Sequence, residues 1–146
     1  MLFRSRTRDT MLRYFRRVHA ALAPDGILIL DAYGGYEAFK EMRERTRRRH
    51  FTYIWDQAQY DPVSGDYLCK IHFRFRDGSM LKEAFVYHWR LWTLPELGEM
   101  LAEAGFRTTV YWEGTAPDGS GNGIFTPVTR GDADACWIAY LVAEKA

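Results

Sequence analysis

The four residues Ile27-Leu28-Ile29-Leu30 constrain this chain more than any other stretch. They follow a Pro24-Asp25-Gly26 turn and run into Asp31 and a loop containing Gly34 and Gly35. The run does not alternate between apolar and polar residues. A strand that is apolar on both faces belongs in a sheet covered on both sides. It makes a poor edge, because an edge leaves backbone N–H and C=O groups without partners. Each buried group left that way costs roughly 1–3 kcal/mol. The fold therefore turns on which segments flank residues 27–30.

The rest of the chain supplies few candidates. In residues 8–22, Met11, Leu12, Phe15, Val18 and Leu22 recur at helical spacing, with Arg13, Arg16 and Arg17 mostly opposite. That is an amphipathic helix, with Asp9 or Thr10 as its cap. Residues 37–49, EAFKEMRERTRRR, read as a second helix with a short stripe of Ala38, Phe39 and Met42. Its glutamates alternate with the arginines, which favours a solvated face over a nucleic-acid site. Residues 50–60, 67–75 and 80–92 alternate and are joined by short glycine turns, so a three-stranded antiparallel meander is expected. Residues 93–106 form a helix: Thr93 caps it, Pro95 sits in its first turn, Glu96 completes a capping box and Gly105 stops it. A strand at 106–114, a mobile loop at 115–133 and an apolar strand at 135–145 complete the order. The last strand can pair with 27–31 on one side and 106–113 on the other. The far edge of 27–31 is then left uncovered.

Composition narrows the class. With 146 residues, 47% apolar and 27% charged, the chain reads as one soluble globular domain. A net charge of +1 argues against a polyanion binder, and 16% aromatic residues favour a thick core, a pocket or an interface. Cys69 and Cys136 have no metal-ligand spacing and are expected to be reduced and buried. His19, His50 and His72 likewise show no metal pattern, so no metal is expected. No apolar run approaches the ~18 residues of a membrane helix. The opening MLFRSRTRDT lacks the apolar core of a secretory signal, so a cytoplasmic location is expected.

Three segments taken in order carry a family resemblance: YFRRVHAALAPDGILILDAYGG, YHWRLWTLPELGEMLAEAGFRTTVYWEG and CWIAYLVAEK. Together they resemble the C-terminal half of a class I S-adenosylmethionine-dependent methyltransferase. The family's Leu-x-Pro-Gly-Gly turn stands here as Leu22-Ala23-Pro24-Asp25-Gly26, with Asp25 in place of the first glycine. Its Ala-Gly-Phe helix end is Ala104-Gly105-Phe106. The resemblance spans roughly residues 8–145. It implies an α/β fold: the C-terminal part of a Rossmann-like seven-stranded sheet, with the meander of residues 50–92 inserted as a substrate cover. Residues 1–146 would then be a single partial domain. The family's Gly-rich cofactor loop and ribose-holding acid lie in its first half. GSGNG at 119–123 has the letters but no strand leading in. S-adenosylmethionine and its binding residues are therefore expected in an N-terminal half that this chain lacks.

Ligands in such folds bind at the carboxyl ends of the strands. Asp31, Tyr33 and Gly34 stand there after the first strand. Asp31 either orients a substrate amine or acts as a base, or simply caps the next turn. In the meander, Trp55, Gln57, Tyr87, His88, Arg90 and Trp92 combine rings with polar heads, as a substrate pocket would. Alternation places Tyr87 and Trp89 on one face, and His88, Arg90 and Trp92 on the other. His88 and Arg90 either take a proton from or bind a carboxylate of the acceptor, or serve as sheet packing and a surface ion pair. The expected activity is methyl transfer to a small-molecule acceptor by the full-length enzyme, with this chain inactive alone. The competing expectation is a non-catalytic α/β module that binds a ligand or a partner.

Overall fold

A computed structural model describes residues 5–146, so the expectation about the opening decapeptide falls partly outside the described residues. The elements are α1 (Arg8–Ala21), β1 (Ile27–Gly34), a 3-10 turn (Tyr36–Phe39), β2 (Met42–Arg47), β3 (Phe51–Tyr60), β4 (Asp66–Phe75), β5 (Met80–Arg90), α2 (Leu94–Glu103), β6 (Phe106–Thr115), β7 (Gly121–Val128) and β8 (Trp137–Lys145). They divide into two compact units, one made of Thr7–Ala38 with Trp92–Ala146, the other chiefly of Phe39–Leu91.

The first unit contains the apolar strand. β8 runs antiparallel to β1, with Ile27 opposite Glu144 and Leu30 opposite Leu141, and its other edge pairs with β6. The strand order is β1-β8-β6-β7, so β8 slots between β1 and β6 as its two-sided apolar character requires. Among the described residues, β1 has no strand on its other edge. One face of this sheet carries the core. Leu30, Phe106, Ala139, Leu141 and Ala143 are buried, as are Met11, Leu12 and Phe15 of α1 and Leu97, Met100 and Leu101 of α2. The opposite face of β1 and β8 is apolar yet open: Ile27 is 49% exposed, Ile29 56% and Ile138 44%.

Local signals set the ends of these elements. Thr93 accepts the Glu96 N–H on its hydroxyl while the Glu96 carboxylate accepts the Thr93 N–H, so α2 opens on the expected capping box. α1 is capped by Thr7, not by Asp9 or Thr10, because the Thr7 hydroxyl accepts the Thr10 N–H. Three further expectations are corrected. Residues 31–34 are not a loop but the end of β1, since β8 continues to pair through Gly34 opposite Trp137. The supposed mobile loop contains β7, which pairs with β6 from Val110–Val128 to Thr115–Gly121 around a turn closed by Asp118 and Ser120. Pro127 is tolerated there because β7 is an outer strand. Cys136 is exposed, just ahead of β8, while Cys69 is buried as expected.

The second unit is a four-stranded antiparallel sheet, β2-β3-β4-β5, not a three-stranded one. The predicted helix at 37–49 is instead a single 3-10 turn followed by β2. Three apolar residues make too narrow a stripe to hold a helix, whereas pairing with β3 satisfies the backbone of residues 42–47. The alternating Arg43, Glu44, Arg45 and Arg47 then suit a short, charged outer strand. Both sheets of the described residues are antiparallel, so the parallel seven-stranded Rossmann-like sheet is not contained in this chain.

Candidate functional site

The register of the second sheet sorts its side chains onto two faces. Met42, Gln57, Cys69 and Tyr87 lie side by side across the strands, as do Glu44, Trp55, Ile71 and Phe85, and these rows share one face with Tyr53, Tyr67 and Trp89. Arg43, Asp56, Lys70 and Val86 form a row of the other face, with Ile54, His72, Leu68, His88, Asp66 and Arg90.

The first face is a continuous aromatic patch. Tyr87 and Trp89 stack at 5.2 Å, Tyr67 and Trp89 at 6.4 Å, and Trp55 lies 6.1 Å from Trp89 and 6.5 Å from Tyr87. Tyr60 meets Tyr67 edge-on at 5.9 Å and Phe39 at 5.3 Å. Such offset and edge-on pairs rigidify a surface beyond the area they bury. The Tyr53 hydroxyl is held above the usual phenol range, chiefly by burial and then by the nearby Tyr87 and Glu44. Gln57 is buried and spends both ends of its amide on the chain itself. Its Oε1 accepts the Trp55 indole N–H at 3.2 Å, and its Nε2 donates to the Lys40 carbonyl at 2.6 Å. It therefore steadies Trp55.

The second face is polar. Near the Asp66 end of β4, Arg6, Gln59, Asp66, Tyr67, His88 and Trp89 help line a cavity of about 190 Å³. Arg6 pairs with Asp66 at its rim. His88 is exposed there and lines the cavity. Farther along the same face Asp56 is buried and accepts from Arg43 at 3.0 Å and from His72 at 3.1 Å. Burial pushes its carboxyl up, but the hydrogen bonds and charges of Arg43 and His72 outweigh that and hold it below the usual carboxylate range. In turn Asp56 raises the Arg43 guanidinium above its ordinary value.

The structure thus separates what the sequence grouped. Trp55, Gln57 and Tyr87 share the aromatic face; His88 and Arg90 share the polar one, as alternation requires. Trp92 does not continue their row, because β5 ends at Arg90 and Trp92 is a buried residue of the other unit, just ahead of α2. Asp31 and Tyr33 also belong to that other unit. Asp31 lies inside β1 opposite Tyr140, exposed on the open face with Ile27 and Ile29, and not at the strand's carboxyl end. Gly34 is buried under the indole of Trp137. The Asp56–His72 pair escaped sequence reading. Its one signal was the polar alternation of Lys70, His72 and Arg74, which hides a buried histidine among solvated residues. Among the described residues no group of His, Cys, Asp and Glu side chains could hold a metal ion. No helix of the described residues is long and apolar enough to cross a membrane.

No family model and no curated protein matches the chain. Solved structures do. A S-adenosylmethionine-dependent methyltransferase from Clostridium acetobutylicum superposes with a TM-score of 0.62 at 13% identity, covering 96% of this chain and 52% of its own. The CcbJ methyltransferase from Streptomyces caelestis gives 0.62 at 16% identity, covering 99% and 57%. DesVI from Streptomyces venezuelae gives 0.55 at 16% identity, covering 96% and 52%. The chain therefore has a class I S-adenosylmethionine-dependent methyltransferase-like fold, and it spans about half the length of the solved proteins it matches.

Proposed function

We propose that this chain is the acceptor-side part of a S-adenosylmethionine-dependent methyltransferase, completed by a cofactor-binding part that adds its sheet to β1. The observation that carries this reading is the open edge of β1. Among the described residues this strand, rich in isoleucine and leucine, pairs with β8 only, and the outer face of the two strands presents Ile27 and Ile29 of β1 and Ile138 of β8 to solvent. An exposed apolar edge of this kind calls for pairing and cover. About half of each similar methyltransferase has no counterpart in the chain, which leaves room for a further segment to supply both.

In this reading the added part contributes the strands and the cofactor site, and the complete sheet is the Rossmann-like one. Methyl transfer from a sulfonium is an in-line displacement, so the protein's contribution is positioning and exclusion of water, with a modest base. The 190 Å³ cavity, lined by Tyr67 and Trp89 as well as His88, offers a small acceptor ring surface beside a candidate base, with Trp89 held by its stack on Tyr87. His88, exposed at the 190 Å³ cavity, is the candidate proton acceptor, with Arg90 beside it on that face. Asp31 stands on the open face of the first sheet and meets the added part instead of the acceptor.

Titration calorimetry with S-adenosylmethionine tests the proposal. The 146-residue chain gives no binding heat, and a polypeptide that also carries a cofactor-binding part binds. Tight binding by the 146-residue chain alone overturns the reading.

A further inference from the structure

One residue of β4 faces three of β5. Ile71 pairs with Phe85 and Phe73 with Leu81, so His72 alone stands opposite Lys82, Glu83 and Ala84. This is a bulge with two extra residues on β5. Its middle residue, Glu83, has a φ of 52°, in the left-handed region that residues with a Cβ resist. The imidazole fills the bulge and holds it. The Glu83 N–H donates to His72 Nδ1 at 2.8 Å. Because Nδ1 accepts, the proton of the neutral ring sits on Nε2, which donates to Asp56 Oδ2 at 3.1 Å. Asp56 also accepts from Arg43 at 3.0 Å. One line of hydrogen bonds thus crosses all four strands, from Arg43 on β2 through Asp56 and His72 to Glu83 on β5. The charged groups on the ring's face are Asp56 with Arg43 behind it, the Lys70–Glu83 ion pair, Arg74 next on β4, and Arg45 of β2 beyond Ile54, the ring's apolar neighbour on β3.

We propose that neutral His72 is a positioning residue, pinning the β4–β5 register that places Tyr87 and His88, and that protonation of its Nδ1 releases the pin. The chemistry is one of exclusion. Nδ1 can accept the Glu83 N–H only while it lacks a proton. A proton there sets N–H against N–H, the Glu83 amide turns away, and the left-handed bulge loses this support. The register consequence follows by counting. Pairing that continued from Phe73–Leu81 without the bulge would put Phe85 opposite Cys69, where Tyr87 now stands, and Tyr87 opposite Tyr67. A shift of two residues keeps every side chain on its own face, so burial opposes it weakly. The pinned form therefore prevails while the ring is neutral and gives way as acid titrates it. This inference concerns the sheet itself and does not depend on the methyltransferase reading.

Nuclear magnetic resonance of the 15N-labelled chain tests it. While the ring is neutral, its nitrogen shifts show an unprotonated Nδ1 and a protonated Nε2, and the Glu83 amide is protected from exchange. As acid is added and the nitrogen shifts report protonation of the ring, the Glu83 protection factor, corrected for intrinsic rate, falls about tenfold in step with it. Contacts between Tyr87 and Cys69 weaken over the same range. In His72→Asn the carboxamide oxygen can take the Glu83 N–H but does not titrate, so protection persists across the range. A proton on Nδ1 in the neutral ring, a Glu83 protection factor that ignores the titration, or a His72→Asn chain that loses protection in acid as the original does each overturns the proposal. Should His72→Asn not fold, the first two measurements on the unaltered chain still decide.

Discussion

Gly34 of β1 lies opposite Trp137 of β8, and a Cβ on Gly34 would overlap the six-membered ring of that indole. Trp137 in turn packs against Trp112 of β6 with ring centroids 5.1 Å apart. The glycine is therefore what lets β1 extend past Asp31 under an aromatic pair. Gly34→Ala is expected to destabilise the chain by about 1–3 kcal/mol, because the ring must leave its place. Urea denaturation followed by tryptophan emission checks both the stability and the displaced indole. An unchanged midpoint and spectrum would mean that the ring moves at no cost.

The buried Asp56 predicts a pH dependence. Its carboxyl is held below the ordinary range by Arg43 and His72, so its stabilisation is complete above the unfolded value of about 3.9 and is lost as pH falls through the lower folded value. Asp56→Asn should cost about 1–3 kcal/mol near neutrality, since Arg43 and His72 lose a charged acceptor. It should also flatten the decline of stability below about pH 4. Chemical denaturation of both proteins across that range compares the two slopes. Parallel slopes would mean that Asp56 does not carry the effect.

The open face of the first sheet predicts a split between stability and assembly. Ile29 is 56% exposed, so Ile29→Lys should shift the stability of this chain by no more than about 0.5 kcal/mol. In the proposed complete protein the same change places a charge in a covered sheet and should abolish assembly with the cofactor-binding part. Denaturation of the single chain and co-elution with the added part measure the two effects. A large loss in the single chain would show that this face is already covered.

Thr93 and Glu96 predict a smaller, local effect. Their reciprocal hydrogen bonds satisfy two backbone donors at the start of α2, whose Leu97, Met100 and Leu101 are buried. Thr93→Ala should cost about 1 kcal/mol, readable as a lower denaturation midpoint, while Thr93→Ser should restore most of it.

Some of this molecule is readable in the chain without coordinates. The spacing of Met11, Leu12 and Phe15 places α1. The Thr-x-x-Glu signature at Thr93 places α2. The unbroken apolar runs at 27–30 and 137–143 announce two strands that pair with each other, though one of their faces stays open at Ile27, Ile29 and Ile138. The alternation at 86–90 correctly divides Tyr87 and Trp89 from His88 and Arg90. These are local periodicities, decided by which side of a helix or strand each residue occupies, and neighbours in the chain fix that side.

What the tertiary structure decided are the cases where local preference was nearly balanced. The residues around Arg43 carry good helix formers, yet the edge of β3 offered their backbone a partner and they became β2. The segment around Ile124 and Phe125 looked like loop because of its glycines and proline, yet β6 had a free edge and took it as β7. His72 looked like any solvated member of a polar face until a bulge 11 residues away brought the Glu83 N–H onto its Nδ1. Each outcome depends on a hydrogen-bond partner distant in the chain, and the identity of that partner is set by which strand edges remain open once the local elements have formed.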